Sequence, residues 1–358
     1  MQDLKTYLLS LIDPSSGFSL DELDALKGIS QNQNQLQIEL CFPFANGKFL
    51  ERLPVEILAQ IEQIAGKKIS WEISHQIEPL KAGRKMPNLA KVKQIVAISS
   101  GKGGVGKSTT AVNLALALAQ EGAKVALLDA DIHGPSLPLM LGCEGKTPPL
   151  PDGKQMMMPI SAHGIVVNSI GFLVSAEEAT IWRGPMAAGI LQQLLRDTIW
   201  GEVDYLIVDM PPGTGDIPLT LAQAVPLSAA VVVTTPQTIA LADAVKGIAM
   251  YNKLNVPVAG VVENMSFHIC RNCGEHEYLF GKDGGQRIAD HYEVLLLGAL
   301  PLDKQIGDDV ENGVPTVVAD PTSELAIAYN QTAQAMAVQL WLQSLLADQP
   351  VEIEIAND

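Results

Sequence analysis

The 358-residue sequence is poor in cysteine, aromatic residues and positive charge. It contains four cysteines and 5% aromatic residues, and 40 aspartates and glutamates outnumber its 24 lysines and arginines. Four cysteines are too few for a disulfide framework in a chain of this length. A net charge of −16 opposes binding to the phosphate backbone of a nucleic acid, so we expect no nucleic-acid partner.

The sequence also lacks a secretory signal and an unbroken membrane span. Asp3 and Lys5 follow Met1 without an apolar segment, which argues against a signal peptide. Residues 217–242 carry no charge and could span a bilayer by length, but three prolines interrupt them. We therefore expect a cytoplasmic protein with no membrane partner.

The pattern of the sequence divides the chain into four segments. Residues 1–77 combine the amphipathic "PVEILAQIEQIAG" with the period-two segments "QLQIELCF" and "KISWEISH", which predicts a small α+β domain. Residues 78–93 hold prolines and a basic run without interleaved aromatic residues, and we expect a linker there. Residues 94–345 form the predicted main domain, and residues 346–358 an acidic tail.

Short apolar runs recur through the main domain and alternate with helical stretches. These runs are "IVAISS", "KVALLDAD", "GIVVNSIGF", "DYLIVDMPP", "AAVVVTTP", "VAGVVENMS" and "LLLGALPLD". Strands buried on both faces have this composition, so the pattern predicts an α/β fold with a mostly parallel sheet flanked by helices. Most runs end in small or polar residues, which places the chemistry at the carboxyl edge of the sheet.

A phosphate-binding loop follows the first of these runs. The segment "GKGGVGKST" matches G-x-x-x-x-G-K-[ST], with a predicted strand before it and a helix after it. Glycines let backbone amides approach phosphate oxygens, and the helix N-terminus adds partial positive charge. We therefore predict ATP binding, with Lys107 on the β and γ phosphates and Ser108 on Mg²⁺. The predicted nucleotide-binding residues are Gly101, Lys102, Gly103, Gly104, Val105, Gly106, Lys107, Ser108 and Thr109.

Three aspartates follow neighbouring strands of the predicted sheet. Asp209 ends "DYLIVD", where a carboxylate holds Mg²⁺, usually through water. Asp129 and Asp131 end "KVALLDAD", and strand alternation would place both side chains on one face. One of them could polarise the attacking water while the other holds Mg²⁺ or a lysine. The predicted catalytic set is therefore Lys107, Asp129 and Asp131, and the sequence leaves the division of roles between the aspartates open.

The segment "SFHICRNCGEH" contains a C-x-x-C pair, Cys270 and Cys273, which supplies half of a tetrahedral metal site. The other half could come from His268 and His276 in a one-chain zinc site. It could also come from Cys41 or Cys143, although no ligand spacing supports this. Finally, a second copy of the chain could supply the same two cysteines, making a four-cysteine site for a [4Fe-4S] cluster. A structural or redox dithiol is a further alternative.

These motifs together identify a family. "KGGVGKST" with Lys102, "DADIHGPS", "WRGPM", "DMPPGTGD" and "CRNC" resemble the Mrp (ApbC-type) iron-sulfur cluster carrier proteins, of the deviant Walker A class that includes MinD and ParA. The resemblance extends from about Val92 to Leu345. Residues 1–77 resemble the small iron-sulfur assembly domain often fused ahead of such proteins.

The resemblance implies an ATPase that acts as a homodimer. Lys102 would reach across the dimer to the partner's nucleotide and so join the catalytic set, and Asp131 is favoured as the residue that orients water. Asn264 resembles the adenine-reading residue, and Pro301, Leu302 and Asp303 resemble the segment that lines the base. Cys270 and Cys273 would bind a [4Fe-4S] cluster that bridges two subunits. Iron-sulfur scaffold proteins and apoprotein clients are the implied partners.

Two other functions fit part of the pattern. A positioning ATPase of the MinD or ParA kind would need a basic amphipathic C-terminal helix or a basic surface, whereas this chain ends in the acidic "LLADQPVEIEIAND". A metallochaperone NTPase for zinc or nickel would share the P-loop and the cysteines. The metal bound by Cys270 and Cys273 distinguishes this function from cluster transfer.

Overall fold

A computed structural model describes residues 2–31, 35–79, 87–132, 134–151, 156–173, 184–270 and 272–347. The N-terminal domain has helices α1 (Gln2–Leu9), α2 (Phe49–Arg52) and α3 (Val55–Ala65) and strands β1 (Leu26–Gln31), β2 (Gln35–Phe42) and β3 (Lys68–His75). Strand β2 pairs antiparallel with β1 and parallel with β3. Helix α3 ends where Gly66 adopts a left-handed φ of 61°. The predicted small α+β domain is confirmed.

The main domain is built on one large sheet. Its strands are β4 (Val92–Ser100), β5 (Val125–Asp129), β6 (Ile160–Ala162), β7 (Ile165–Ser169), β8 (Val203–Asp209), β9 (Ala229–Thr234), β10 (Val258–Ile269), β11 (His276–Glu277) and β12 (Leu296–Pro301). The strand order is β11-β10-β9-β4-β8-β5-β7-β6, and β12 also pairs with β10. Among the described strands of this large sheet, only β6 and β11 run antiparallel to their neighbours.

Helices cover both faces of this sheet. They are α4 (Lys107–Gln120), α5 (Leu137–Met140), α6 (Gly184–Asp197), α7 (Asp216–Ala224), α8 (Thr238–Lys253), α9 (Gly284–Tyr292), α10 (Lys304–Glu311), α11 (Thr316–Ala319) and α12 (Glu324–Ala347). A mostly parallel sheet between helical layers confirms the predicted fold class. All seven apolar runs form strands of the sheet. None of the helices in the described ranges is long and apolar enough to cross a membrane.

The predicted linker and tail fall partly outside the described residues. Residues 80–86 of the linker are not described, and the next strand, β4, starts at Val92. Residues 348–358 of the predicted tail also lie outside the described ranges, and α12 extends to Ala347.

Alternating residues of the central strand β4 belong to two hydrophobic cores, one on each face of the sheet. Val96 and Ile98 face the layer that contains α4 and α12, whereas Ile95 and Ala97 face the layer that contains α6 to α8. Burial on both faces explains why the strand sequence is continuously apolar rather than alternating. The first core continues into the N-terminal domain, because it also includes residues such as Phe42.

The N-terminal domain packs against the amino edge of the large sheet. The ring of Trp341 in α12 contacts the rings of Phe18 and Phe44, with centroid distances of 5.5 and 5.8 Å. His75 Nε2 lies 3.1 Å from an oxygen of Asp204, which begins β8 with Val203. The N-terminal domain therefore lies at the edge opposite the strand ends that carry the predicted site.

Glu121, directly after α4, is the polar centre of the domain contact. Its carboxylate accepts two hydrogen bonds from the Arg52 guanidinium, at 2.6 and 3.0 Å, and one from the Lys48 amide at 2.9 Å. Its backbone oxygen accepts from the Gly47 amide at 3.0 Å. A Cβ at Gly47 would lie 2.7 Å from that oxygen, so this close approach requires glycine. The end of the P-loop helix is thus fixed to the N-terminal domain.

Replacing Glu121 with alanine should destabilise the protein by about 3 kcal/mol, because a half-buried guanidinium loses its counter-charge. The shift of the unfolding midpoint in urea measures this loss. Glu202→Ala is the matched control, since Glu202 also bonds two basic side chains, Lys91 and Lys124, but is 65% exposed. The control should unfold like the wild type. Equal destabilisation of both variants would contradict the assignment of Glu121 as the polar centre of the contact.

Candidate functional site

The phosphate loop joins β4 to α4 at the carboxyl edge of the sheet. Gly104 and Gly106 adopt left-handed φ values of 82° and 81°, which favour glycine. A Cβ at Gly106 would lie 2.1 Å from Asn264 Nδ2, so the loop passes tightly against β10. Helix α4 begins directly after the loop at Lys107. Its first-turn amides have no intrahelical partners and can bind anions.

The predicted phosphate lysine and two of the predicted carboxylates converge. Lys107 is 6% exposed, and its Nζ lies 2.5 Å from Asp209 Oδ1 and 3.6 Å from Asp131 Oδ2. It also lies 3.2 Å from Ser108 Oγ. A buried ammonium needs such counter-charges. The two carboxylates therefore neutralise the charge that is predicted to bind phosphate.

Asp129 occupies a different position from Asp131, because β5 ends at Asp129 and strand alternation does not continue to Asp131. Asp129 is fully buried and accepts hydrogen bonds from Ser169 Oγ at 2.9 Å and from the Leu137 and Asp131 amides at 3.2 Å each. Burial and the nearby charge of Asp209 raise the pKa of Asp129 to about 7. Asp129 thus holds the loop after β5, and Asp131 reaches Lys107.

The residues around Asp209 fit the predicted magnesium site. Burial raises the pKa of Asp209, and the charge of Lys107 opposes this shift. Its Oδ2 is buried and finds no hydrogen-bond donor among the residues that the structure describes. This carboxylate oxygen lies beside the Ser108 hydroxyl. Together the two oxygens form a suitable pair of ligands for a hard cation. Ser108 and Asp209 are the residues that could hold Mg²⁺.

Beside the phosphate loop lies a cleft of about 200 Å³, here called the base cleft. Residues from the loop, β10 and the start of α10 surround it, including all four residues that resemble base contacts: Asn264, Pro301, Leu302 and Asp303. Asn264 Nδ2 donates to the Val105 carbonyl at 2.8 Å. Met265, Ile306 and Tyr329 also line the cleft. No sequence signal indicated Ile306 and Tyr329, since α10 and α12 join the site only through folding, and Met265 follows Asn264 in β10 without a motif of its own.

Lys102 is half-buried in the phosphate loop, and its carbonyl accepts from Ser100 Oγ at 2.9 Å. Its predicted role involves a partner chain. In "WRGPM", Trp182 and Arg183 lie outside the described residues, and α6 begins at Gly184.

The cysteine pair lies on a hairpin between β10 and β11, here called the thiol hairpin (residues 268–270 and 272–277). The Cys270 amide donates to the Glu275 carbonyl at 2.9 Å, and the Gly274 amide donates to the Cys270 carbonyl at 2.8 Å. Gly274 adopts a φ of 74°. Hydrogen bonds from the Asn272 and Cys273 amides lower the pKa of the Cys270 thiol. Such bonds favour the thiolate, which is the metal-binding form.

The described part of one chain does not complete a metal site around these thiols. It contains no group of three or more His, Cys, Asp or Glu side chains placed to hold a metal ion. His268 Nδ1 lies 3.1 Å from the Leu302 carbonyl, while His276 stacks on Phe267 at 4.3 Å on the other face of the hairpin. Cys143 is fully buried. Cys270 is half-buried and Cys273 is exposed, so both thiols of the pair reach the surface, whereas the half-buried Cys41 lies in the N-terminal domain.

Comparison with known proteins places the chain in a family. The family model described as ParA, NUBPL iron-transfer P-loop NTPase, matches residues 91–337. The iron-sulfur cluster carrier protein of Escherichia coli (strain K12) is 52% identical over 331 residues, covering 92% of this chain and 89% of that protein.

Two solved structures share the fold. A nucleotide-binding protein from Archaeoglobus fulgidus in complex with ADP is 38% identical with a TM-score of 0.57, covering 63% of this chain and 89% of that one. The cell division ATPase MinD of Pyrococcus furiosus has a TM-score of 0.52 at 24% identity, covering 68% of this chain and 98% of that one, and supports the fold alone. The resemblance to Mrp-type carriers is confirmed. The chain therefore belongs to the ParA family of NUBPL-type iron-transfer P-loop NTPases.

Proposed function

We propose that this protein binds and hydrolyses ATP and carries iron-sulfur clusters, assembling a [4Fe-4S] cluster at a homodimer interface and transferring it to apoproteins. The observation that carries this proposal is the surface hairpin with only two thiols, Cys270 and Cys273, at the end of a strand that also lines the base cleft. A [4Fe-4S] cluster takes four thiolates. Two copies of the hairpin related by a two-fold axis would supply them.

The arrangement of charges supports phosphoryl transfer. When ATP binds, the Lys107 ammonium would leave its ion pairs with Asp131 and Asp209 and pair with the β and γ phosphate oxygens instead. Asp131, released from Lys107, would orient the attacking water; this choice is supported by the three hydrogen bonds that the oxygens of Asp129 already accept. Mg²⁺, when bound by Ser108 and Asp209, would neutralise the charge that develops on the phosphates. Lys102 of one subunit would add its charge to the partner's site.

The relatives support the cargo and the partners. The Escherichia coli relative is named an iron-sulfur cluster carrier, and the Archaeoglobus fulgidus relative was solved with ADP. We propose the same ligand classes here, with an iron-sulfur scaffold as donor and apoproteins as recipients in the cytoplasm. The net charge of −16 supports a protein partner over nucleic acid.

The two sites should be separable by mutation. Lys107→Ala should abolish ATP hydrolysis, because it removes the charge that binds the phosphates. Cys273→Ala should leave hydrolysis largely intact but prevent cluster binding after anaerobic reconstitution with iron and sulfide. Iron content and the visible spectrum measure the cluster, at about two irons per wild-type chain. Cys41→Ser is the matched control, since Cys41 lies in β2 of the N-terminal domain, and it should retain the cluster.

Two results would contradict this proposal. Loss of hydrolysis in Cys273→Ala would show that the sites are not separable. Tight binding of one zinc ion per chain, with no iron retained, would favour a metallochaperone for zinc instead.

The buried acid Asp129 should make the stability of the nucleotide-free protein depend on pH. Its pKa of about 7 in the folded chain exceeds its ordinary value of 3.8, so folding favours the protonated form. The stabilisation is complete below pH 4 and is lost as the pH rises towards 7, at about 1 kcal/mol per pH unit. Asp129→Asn should remove this component, so urea unfolding midpoints of wild type and variant should change differently between pH 4.5 and 8. Parallel pH profiles would contradict the assigned pKa.

A further inference from the structure

Two clefts at the carboxyl edge of the sheet share one residue. The base cleft is lined by Asn264, Leu302 and Asp303, and a second cleft of about 360 Å³, the thiol cleft, is lined by Cys270, Asp303 and Glu324. Asp303 lines both clefts, and its Oδ1 accepts from the Gln305 amide at 2.8 Å to begin α10. A change in the position of residues 301–303 would therefore alter both clefts.

Strand β10 connects the two clefts through a bulge. Its pairing with β12 moves from Glu263↔Ala299 to Phe267↔Pro301, so β10 advances four residues while β12 advances two. Within the bulge, Met265 adopts a left-handed φ of 54°, which costs a non-glycine residue about 1 kcal/mol. Bulges of this kind redirect side chains beside functional sites.

Polar contacts hold the bulge at the phosphate-loop side. Asn264 Nδ2 donates to Val105 of the loop at 2.8 Å. Glu263, buried in β10, accepts from Ser266 Oγ at 2.6 Å and also from the Gly285 amide. Asn264 also lines the base cleft, and the second hydrogen of its Nδ2 could donate to a nucleotide base there. A base bound in the cleft would therefore contact the same side chain that joins the bulge to the phosphate loop.

Two further hydrogen bonds fix the thiol-hairpin side of the bulge. The Leu302 amide donates to the Phe267 carbonyl at 2.7 Å, and the His268 ring, with Nδ1 protonated, donates to the Leu302 carbonyl at 3.1 Å. Leu302 also lines the base cleft, and His268 lies two residues before Cys270. The backbone amide and carbonyl of Leu302 are thus both hydrogen-bonded to β10, between the base cleft and the thiol hairpin.

We propose that residues 264–268 transmit nucleotide occupancy of the base cleft to the thiol hairpin, with His268 as the positioning residue that ties the hairpin to Leu302. This inference rests on the proposed function, since it assumes that the base binds beside Asn264. A nucleotide changes the hairpin only if it binds two hairpin arrangements with different affinity. The His268–Leu302 hydrogen bond is the contact that would distinguish the two arrangements.

Thiol reactivity in the full-length, reduced, cluster-free protein tests this coupling. Iodoacetamide labelling, followed by peptide mass spectrometry, reports each cysteine separately, and Cys41 and Cys143 serve as internal references. Mg-ADP should change the labelling rate of Cys270 in the wild type by about fivefold or more, a typical coupling between two sites. In His268→Ala, the rate should be the same with and without Mg-ADP, while Mg-ADP still binds, with an affinity measured by calorimetry that differs from wild type by no more than the coupling factor.

Two further variants separate positioning from a general structural role. His268→Asn places an amide nitrogen where Nδ1 of histidine lies, so it should restore the nucleotide effect. His276→Ala is the matched control on the other face of the hairpin, where His276 stacks on Phe267, and it should keep the nucleotide effect.

Several outcomes would overturn the coupling. They are an unchanged Cys270 rate in the wild type when Mg-ADP is bound, a nucleotide effect that persists in His268→Ala, and loss of Mg-ADP binding in His268→Ala. If Mg-ADP does not bind the wild type at all, the proposed function fails as well. If Mg-ADP binds and the reconstituted wild type holds its cluster, but labelling does not respond, only the coupling fails.

Discussion

The parallel pairing of the central strands is the constraint on which the site depends, because it brings their carboxyl ends to one edge. At that edge, β4 leads into the phosphate loop and β10 carries Asn264. Strands β5 and β8 end there in Asp129 and Asp209. The ion pair between Lys107 and Asp209 follows from this placement, since the two residues are far apart in sequence. Their mutual neutralisation makes the buried charges tolerable before a nucleotide arrives.

The same geometry separates the N-terminal domain from the chemistry. That domain contacts the starts of strands and the end of α4, whereas nucleotide and thiol residues lie at the strand ends. Helix α4 joins the two regions, since it begins at Lys107 and is followed at once by Glu121, which bonds to the N-terminal domain. A helix of 14 residues spans about 21 Å, which is the distance between Lys107 and the contact with the N-terminal domain.

The sequence predicted most of this arrangement. Continuous apolar runs predicted the seven strands, and the phosphate loop and Asp209 were predicted from local motifs that the structure brings together. The sequence did not predict the enclosure of Asp129 by Ser169 and Leu137, because β5 ends at Asp129, two residues before Asp131, where strand alternation would need it to continue. It also did not predict the bulge at Met265 or the docking of Arg52 on Glu121. Both depend on contacts between segments distant in sequence, for which periodicity carries no signal.

The central claim is that one chain holds half of a cluster site. Native mass spectrometry of the anaerobically reconstituted protein measures cluster content and subunit number together. We predict that the cluster is found only in a dimer, with about four irons and four sulfides per two chains. A monomer that carries an intact cluster, or a dimer that keeps its cluster when Cys270 and Cys273 are both replaced by alanine, would contradict the account.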